Sequence, residues 1–225
     1  MFDFKKCLEE VKTRCSEASQ TASAQRRLFK KGYSFSKLPA WEQIYVWDYV
    51  WTEGTSFWVK VQSFFFCETQ LNKASELIRL WPVISRWVEQ VDNWALSDCL
   101  SKIYSAILEI DPQVVYPVLV EWSKSENPWK RRQSLVSLIY YSSVRQKIQP
   151  FKKVTILIRN LLDDPAYYVQ KGLGWTLREL HNVYPEDTYK FLHDNIKRLS
   201  PVAFGAATQK LSVSQKQELK DLRKK

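Results

Sequence analysis

Residues 92–128 read DNWALSDCLSKIYSAILEIDPQVVYPVLVEWSKSENP. In this stretch Leu96, Leu100, Ile103, Ile107 and Ile110 recur at three- and four-residue steps, and Val114, Val115, Val118, Leu119 and Trp122 follow. That spacing lays apolar side chains along one face of a helix, so the stretch is two helices joined by short turns. Asp111-Pro112 and Asn127-Pro128 open helices for a physical reason. The Asx side chain accepts an orphan amide at the N-cap, and proline at the next position has no amide to leave unpaired. Asp164-Pro165 carries the same signature. Asp92, Asn127, Asp164 and Ser200 are spaced by 35, 37 and 36 residues, and Trp94 and Trp129 hold matching places in successive units. A further unit begins near Gly54-Thr55. A period of two helices and two turns is the mark of a stacked helical solenoid. The tetratricopeptide consensus residues are not evident, so the expected fold is all-α and HEAT-like, with an irregular all-α bundle as the alternative.

Apolar stripes extend this reading along the chain. Phe4, Leu8, Val11 and Cys15 form one, Trp41, Ile44, Trp47 and Trp51 another after Pro39, and Leu135, Leu138 and Ile139 a third. The aromatic-rich run from Phe57 to Cys67 could be a strand, but Trp58, Val61 and Phe65 fit a helix equally well. One domain over residues 1–225 is expected, with N-terminal helices in 1–53, repeats in 54–209 and a charged, fraying tail in 210–225. Ser16 to Ala24 is a candidate linker.

Composition narrows the function classes. The chain has 225 residues, 45% apolar and 26% charged, which is globular and neither disordered nor collagen-like. Five glycines are too few for a many-turned β-sandwich or barrel. P-loop and GxGxxG motifs are absent. Cys7, Cys15, Cys67 and Cys99 are widely spaced, without a CxxC, and His181 and His193 lie far from them, so a zinc site is poorly supported. The cysteines read as reduced thiols, and the expected location is the cytoplasm of a bacterial-type cell. No signal peptide or membrane-spanning run is visible. A net charge of +10 fits either a soluble basic surface or a polyanionic partner such as nucleic acid.

Three places could carry chemistry. After Asp164, Lys171, Trp175 and Arg178 share a helix face apart from the apolar stripe of Val169, Leu173, Leu177 and Leu180. A large aromatic between two cations is unusual on the outside of a helix, and periodicity alone slightly favours a tryptophan half-buried under a neighbouring repeat, with two solvated charges beside it. Gly172 and Gly174 sit in that helix at a cost of about 1 kcal/mol each relative to alanine, and allow close approach of another helix or of a ligand. Trp94 and Asp98 stack at i and i+4, with Asp92 as the expected N-cap, although a lone aspartate is ordinarily a solvated carboxylate. Lys130, Arg131 and Arg132 open a helix after Asn127-Pro128-Trp129. Cations there oppose the helix dipole, so a phosphate is the more obvious reason for them than stability.

These motifs carry a resemblance. Asp92 to Asp98, Trp122, Asn127 to Arg132 and above all Tyr168-Val169-Gln170-Lys171-Gly172-Leu173-Gly174-Trp175-Thr176-Leu177-Arg178-Glu179 resemble, in order and spacing, the AlkD-type DNA glycosylases, a HEAT-like alkylation-repair family. The resemblance covers roughly residues 85 to 200. It implies a solenoid with a basic concave face. Asp98 would be the catalytic carboxylate, between Trp94 and Trp175, which pack against the lesion's deoxyribose. Arg132 would contact a backbone phosphate, with Arg131, Lys171 and Arg178 in the basic lining. The implied substrate is duplex DNA with N3- or N7-alkylated purines, the implied protein a metal-independent monomer without cofactor or membrane association. Ser200 to Ala207 departs from the pattern, being small and apolar where a DNA-tracking helix would be basic. A non-catalytic binder of damaged or branched DNA and a protein-binding HEAT scaffold are the rival readings.

Overall fold

The computed structural model describes residues 3–224. They form thirteen α-helices and two short 3₁₀ segments, with no strand among the described residues. The chain makes two compact units, one ending at Ile103 and the other beginning at Tyr104. The division falls within helix α6 (Trp94–Ile110).

The first unit contains α1 (Phe4–Glu17), α2 (Ala22–Lys30), α3 (Ala40–Glu53), α4 (Phe57–Thr69) and α5 (Ala74–Ile84). Helix α3 packs on α1, α4 and α5, and α2 packs on α4. The ambiguous run from Phe57 to Cys67 is thus helical. The linker shrinks from Ser16–Ala24 to residues 18–21, because Thr21 accepts the Ala24 amide and starts α2. Of the α3 stripe, Ile44, Trp47 and Trp51 are buried and Trp41 is half exposed. Trp51 stacks on Trp87 with ring centroids 4.8 Å apart. The Trp51 indole donates to the Trp87 carbonyl at 2.9 Å, and the Trp87 indole to Asp48 at 2.7 Å. Each large ring therefore keeps its polar edge satisfied while its faces are removed from water. A buried polar thread ties α1, α2 and α4 together. The Tyr33 hydroxyl donates to Gln62, the Gln62 amide to Gln25, and the Gln25 amide to the carbonyl of Cys15, at 3.0, 3.1 and 3.0 Å.

The second unit is a succession of helical pairs. After the rest of α6 come α7 (Pro112–Trp122), α8 (Pro128–Ile139), α9 (Phe151–Asn160), α10 (Tyr167–Val183), α11 (Pro185–Asp194), α12 (Pro201–Ala207) and α13 (Val213–Lys224). Helices α8, α10 and α12 lie side by side, while α7 and α9 pack on α8, α11 on α10, and α13 on α11. This is the expected all-α helical repeat. Asp111, Asn127 and Ser200 cap as their sequence predicts, accepting the amides of Val114, Trp129 and Ala203. Two starts differ. Asn93, not Asp92, accepts the Leu96 amide at 3.0 Å and opens α6. Asp164 stands before Ala166, the residue that precedes α10, and accepts the Ala166 amide at 2.9 Å. In the C-terminal segment, Leu219 of α13 is fully buried and Tyr189 donates to Glu218 at 2.8 Å.

Helix α10 is held closely on both flanks. A Cβ on Gly174 would stand 2.6 Å from the Ala203 carbonyl oxygen and 2.8 Å from the Ala206 Cβ of α12. A Cβ on Gly172 would stand 3.1 Å from both Arg132 Nη1 and Val136 of α8. The small residues of α12 are therefore the counterpart of Gly174. That accounts for the apolar Ser200–Ala207 segment as helix packing.

Two predictions follow from this packing. Gly174→Ala gains about 1 kcal/mol of helix propensity but overpacks the α10–α12 contact at about 1–3 kcal/mol. The expected outcome is net destabilisation in urea unfolding, whereas exposed Gly205, where an added Cβ would meet no other part of the fold within 4 Å, is expected to gain stability from the same change. Second, burial raises the thiols, to about 11 for Cys15 and about 12 for Cys99, where Glu68 and Asp98 add to burial, and Cys67 rises further still. Unfolded thiols ionise near pH 9 while these stay protonated. The stability they leave intact below pH 9 is lost as pH climbs from 9 toward the folded values. Iodoacetamide at pH 8 is expected to label native protein much more slowly than protein in urea.

Candidate nucleic-acid interface

The unburied side of α10 groups several of the candidate residues. Tyr168, Lys171, Trp175 and Arg178 follow one another at steps of three, four and three residues, which keeps them on one side of a helix over about 15 Å. Val169, Leu173, Leu177 and Leu180 are fully buried on the other side. Lys171 is exposed, and Trp175 and Arg178 are part-buried. The sequence-predicted trio of Lys171, Trp175 and Arg178 is thus brought together on one face, with Tyr168 as an unforeseen fourth member.

Trp175 stands in an aromatic box. The rings of Tyr140 and Tyr141 lie 5.8 and 5.3 Å from it, both edge-on. The Trp175 indole nitrogen is covered and has no hydrogen-bond partner, so ring packing sets its orientation. Tyr140 reaches this place through a backbone φ of 55°, the one non-glycine positive φ among the described residues. Such a conformation costs a bulky residue on the order of 1–3 kcal/mol and persists only where neighbours impose it. Two carboxylates hold the segment that follows it. Glu179 accepts the Ser142 amide and hydroxyl, both at 2.8 Å. Glu109 accepts the amides of Gln146 and Lys147 at 2.7 and 2.8 Å and pairs with Arg145 at 3.2 Å. Sequence reading did not single out Tyr140, Tyr141, Glu179 or Glu109. Only the adjacent tyrosines after an apolar helix offered a signal, and they offered no geometry.

The arginines that open α8 have internal partners. Arg131 forks onto Asp164 and also donates to the carbonyls of Ser125 and Glu126 at 2.9 and 2.8 Å. Arg132 is 4% exposed and donates to the Tyr168 carbonyl at 2.8 Å. These bonds supply the structural reason for cations in a first helical turn that the dipole argument lacked. They bind the loop before α8 and the start of α10. Arg178 divides its donors between Glu179 and Gln209, at 3.1 and 2.9 Å.

On α6, Trp94 is the first helical residue and 52% exposed, and Asp98 follows one turn later, part-buried. Leu96, Leu100 and Ile103 are buried. The helix thus separates an aromatic–carboxylate side from its apolar side. Among the described residues no group of three or more His, Cys, Asp or Glu could hold a metal ion, and no helix is long and apolar enough to cross a membrane.

An all-α helical repeat with an aromatic and cationic helix face is the class that fold and site define together. The family model described as DNA alkylation repair enzyme matches residues 22–211, and the chain belongs to that family. Among solved structures it is similar to AlkD2 from Streptococcus mutans, at 16% identity over 99% of this chain and 98% of that one, with a TM-score of 0.59. It is also similar to a predicted DNA alkylation repair enzyme from Enterococcus faecalis, at 15% identity over 86% and 87% of the chains, with a TM-score of 0.64. Both likenesses establish the fold. Among curated proteins none matches this sequence.

Arg131 and Arg132 bond within the protein, whereas Lys171 is exposed. Arg131→Ala strands Asp164, whose side chain is 5% exposed, and is expected to cost about 2–4 kcal/mol in denaturant unfolding. Lys171→Ala is expected to stay within about 0.5 kcal/mol of wild type while weakening salt-sensitive DNA binding. Equal stability losses in the two variants would reject this division.

Proposed function

We propose that this chain is a DNA glycosylase that hydrolyses the N-glycosidic bond of N3- or N7-alkylated purines in duplex DNA and leaves an abasic site. The observation that carries the reading is the exposed Trp94 with Asp98 one turn further along the same side of α6. Membership of the DNA alkylation repair enzyme family supports it.

The chemistry asks for these residue types. An N3- or N7-alkylated purine is already cationic, so it departs with the electron pair of the C1′–N bond and needs no general acid. Positive charge passes to the sugar, which gains oxocarbenium character. The Asp98 carboxylate stabilises that charge and orients a water, whose oxygen bonds to C1′ and whose proton leaves through the carboxylate to solvent. A tryptophan face favours a cationic sugar through its ring quadrupole, a role this reading gives to Trp94 beside Asp98, with Trp175 on α10 a second candidate. One carboxylate suffices, unlike the paired carboxylates of sugar hydrolases. Lys171 and Arg178 take phosphates in this reading. Arg131 and Arg132, bonded to protein carbonyls, hold the helix ends that present them.

Single-turnover release of free base from a duplex carrying N7-methylguanine or N3-methyladenine tests the proposal. Wild type is expected to release base. Asp98→Asn is expected to slow release by about a hundredfold or more with duplex affinity nearly unchanged. Base release unaffected by that substitution would remove Asp98 from the chemistry. Tight duplex binding without any release would favour the non-catalytic DNA binder.

A further inference from the structure

A second aromatic cluster lies at the other end of the α10 stripe and has no part in the chemistry above. Tyr167 and Tyr168, the first residues of α10, are 53% and 38% exposed. Trp129 of α8 stacks on Tyr168 with centroids 5.3 Å apart and ring planes 28° from parallel. Tyr167 meets Tyr168 edge-on at 5.1 Å, and the Lys171 ammonium lies 5.7 Å from the Tyr167 ring. Arg132 clamps the Tyr168 carbonyl from within, so the cluster is pinned to both helices. Exposed rings held this firmly, with a cation at their edge, form a preorganised surface rather than residual exposed apolar area.

From this we infer that Trp129, Tyr167, Tyr168 and Lys171 form a stacking platform for an unpaired nucleotide of a DNA strand, separate from the nucleotide that meets Trp175. The inference rests on the proposed function only in taking DNA as the partner. Distance separates the two contacts. Tyr168 and Trp175 are seven residues apart on one helix, about 10 Å, so they cannot touch the same sugar. At 3.4 Å of rise per nucleotide along one strand that gap is about three nucleotides. The stripe alternates aromatic, cation, aromatic, cation, which suits successive bases and phosphates of one strand. A paired base within a duplex already has both faces covered by its neighbours. An exposed ring therefore gains a stacking partner only where a base is unpaired, and Lys171 supplies a phosphate contact beside it.

The test uses the full chain and unmodified DNA, so it is independent of excision. Binding is measured by fluorescence anisotropy at fixed salt, to a blunt duplex and to the same duplex with three unpaired nucleotides. Wild type is expected to prefer the second DNA by about fivefold or more. Tyr168→Leu, which keeps apolar bulk but loses the π-face, and the double change Tyr167→Ala/Tyr168→Ala are expected to abolish the preference, so that both DNAs bind alike. Tyr168→Phe is expected to keep it. Equal wild-type affinity for the two DNAs overturns the platform and leaves the glycosylase reading standing. So does a preference that survives the Tyr168→Leu substitution. Failure of wild type to bind either DNA overturns both.

Discussion

The close approach of α10 to its two neighbours is the constraint on which the second unit depends. On one flank Gly174 meets the backbone and small side chains of α12, and on the other Gly172 gives way to Arg132 and Val136 of α8. Each glycine gives up helix propensity of about 1 kcal/mol relative to alanine, and what it gains is proximity. With both flanks occupied and Leu173, Leu177 and Leu180 turned into the core, α10 has one side left to show. Tyr168, Lys171, Trp175 and Arg178 occupy it; Tyr168 stacks on Trp129, Trp175 packs against Tyr140 and Tyr141, Arg178 bonds to Glu179 and Gln209, and Lys171 is exposed.

Charge follows a parallel division of labour. An excess of ten cations invites the view that every arginine near the site awaits a phosphate. Arg131 and Arg132 argue otherwise, since their guanidiniums bind Asp164 and the carbonyls of Ser125, Glu126 and Tyr168. Guanidinium suits this work because its planar fork can satisfy several acceptors at once and stays charged when buried. Carboxylates do the reverse job. Glu179 and Glu109 accept backbone amides of the segment after α8, at Ser142 and at Gln146 and Lys147. The charges that remain accessible, Lys171 first among them, are the ones a DNA strand could engage.

Much of this was legible in the sequence, because helix starts and apolar periods are local signals. Asn127-Pro128 and Ser200-Pro201 opened helices where their side chains predicted. Asp164-Pro165 did not: Asp164 accepts the Ala166 amide and pairs with the distant Arg131, and the helix opens only after Ala166. The trio of Lys171, Trp175 and Arg178 was readable from spacing alone. Tyr140 and Tyr141 were not, because they meet Trp175 from the end of another helix, across one unusual backbone angle at Tyr140. Periodicity also could not tell which way Arg132 faced, and the Tyr168 carbonyl that settles it lies 36 residues away.

A rigid helical frame is well matched to the reaction proposed for it. When the leaving group already carries positive charge, the barrier falls mainly through stabilisation of the sugar that remains. That stabilisation requires a carboxylate and aromatic faces that do not have to reorganise as the bond breaks. Side chains on helices locked by close packing meet this requirement better than side chains on loops. Trp175, oriented by two tyrosine rings instead of by a hydrogen bond, keeps its geometry through shape alone. The backbone strain at Tyr140 is the cost of that arrangement, and it falls on the residue that closes one side of the box.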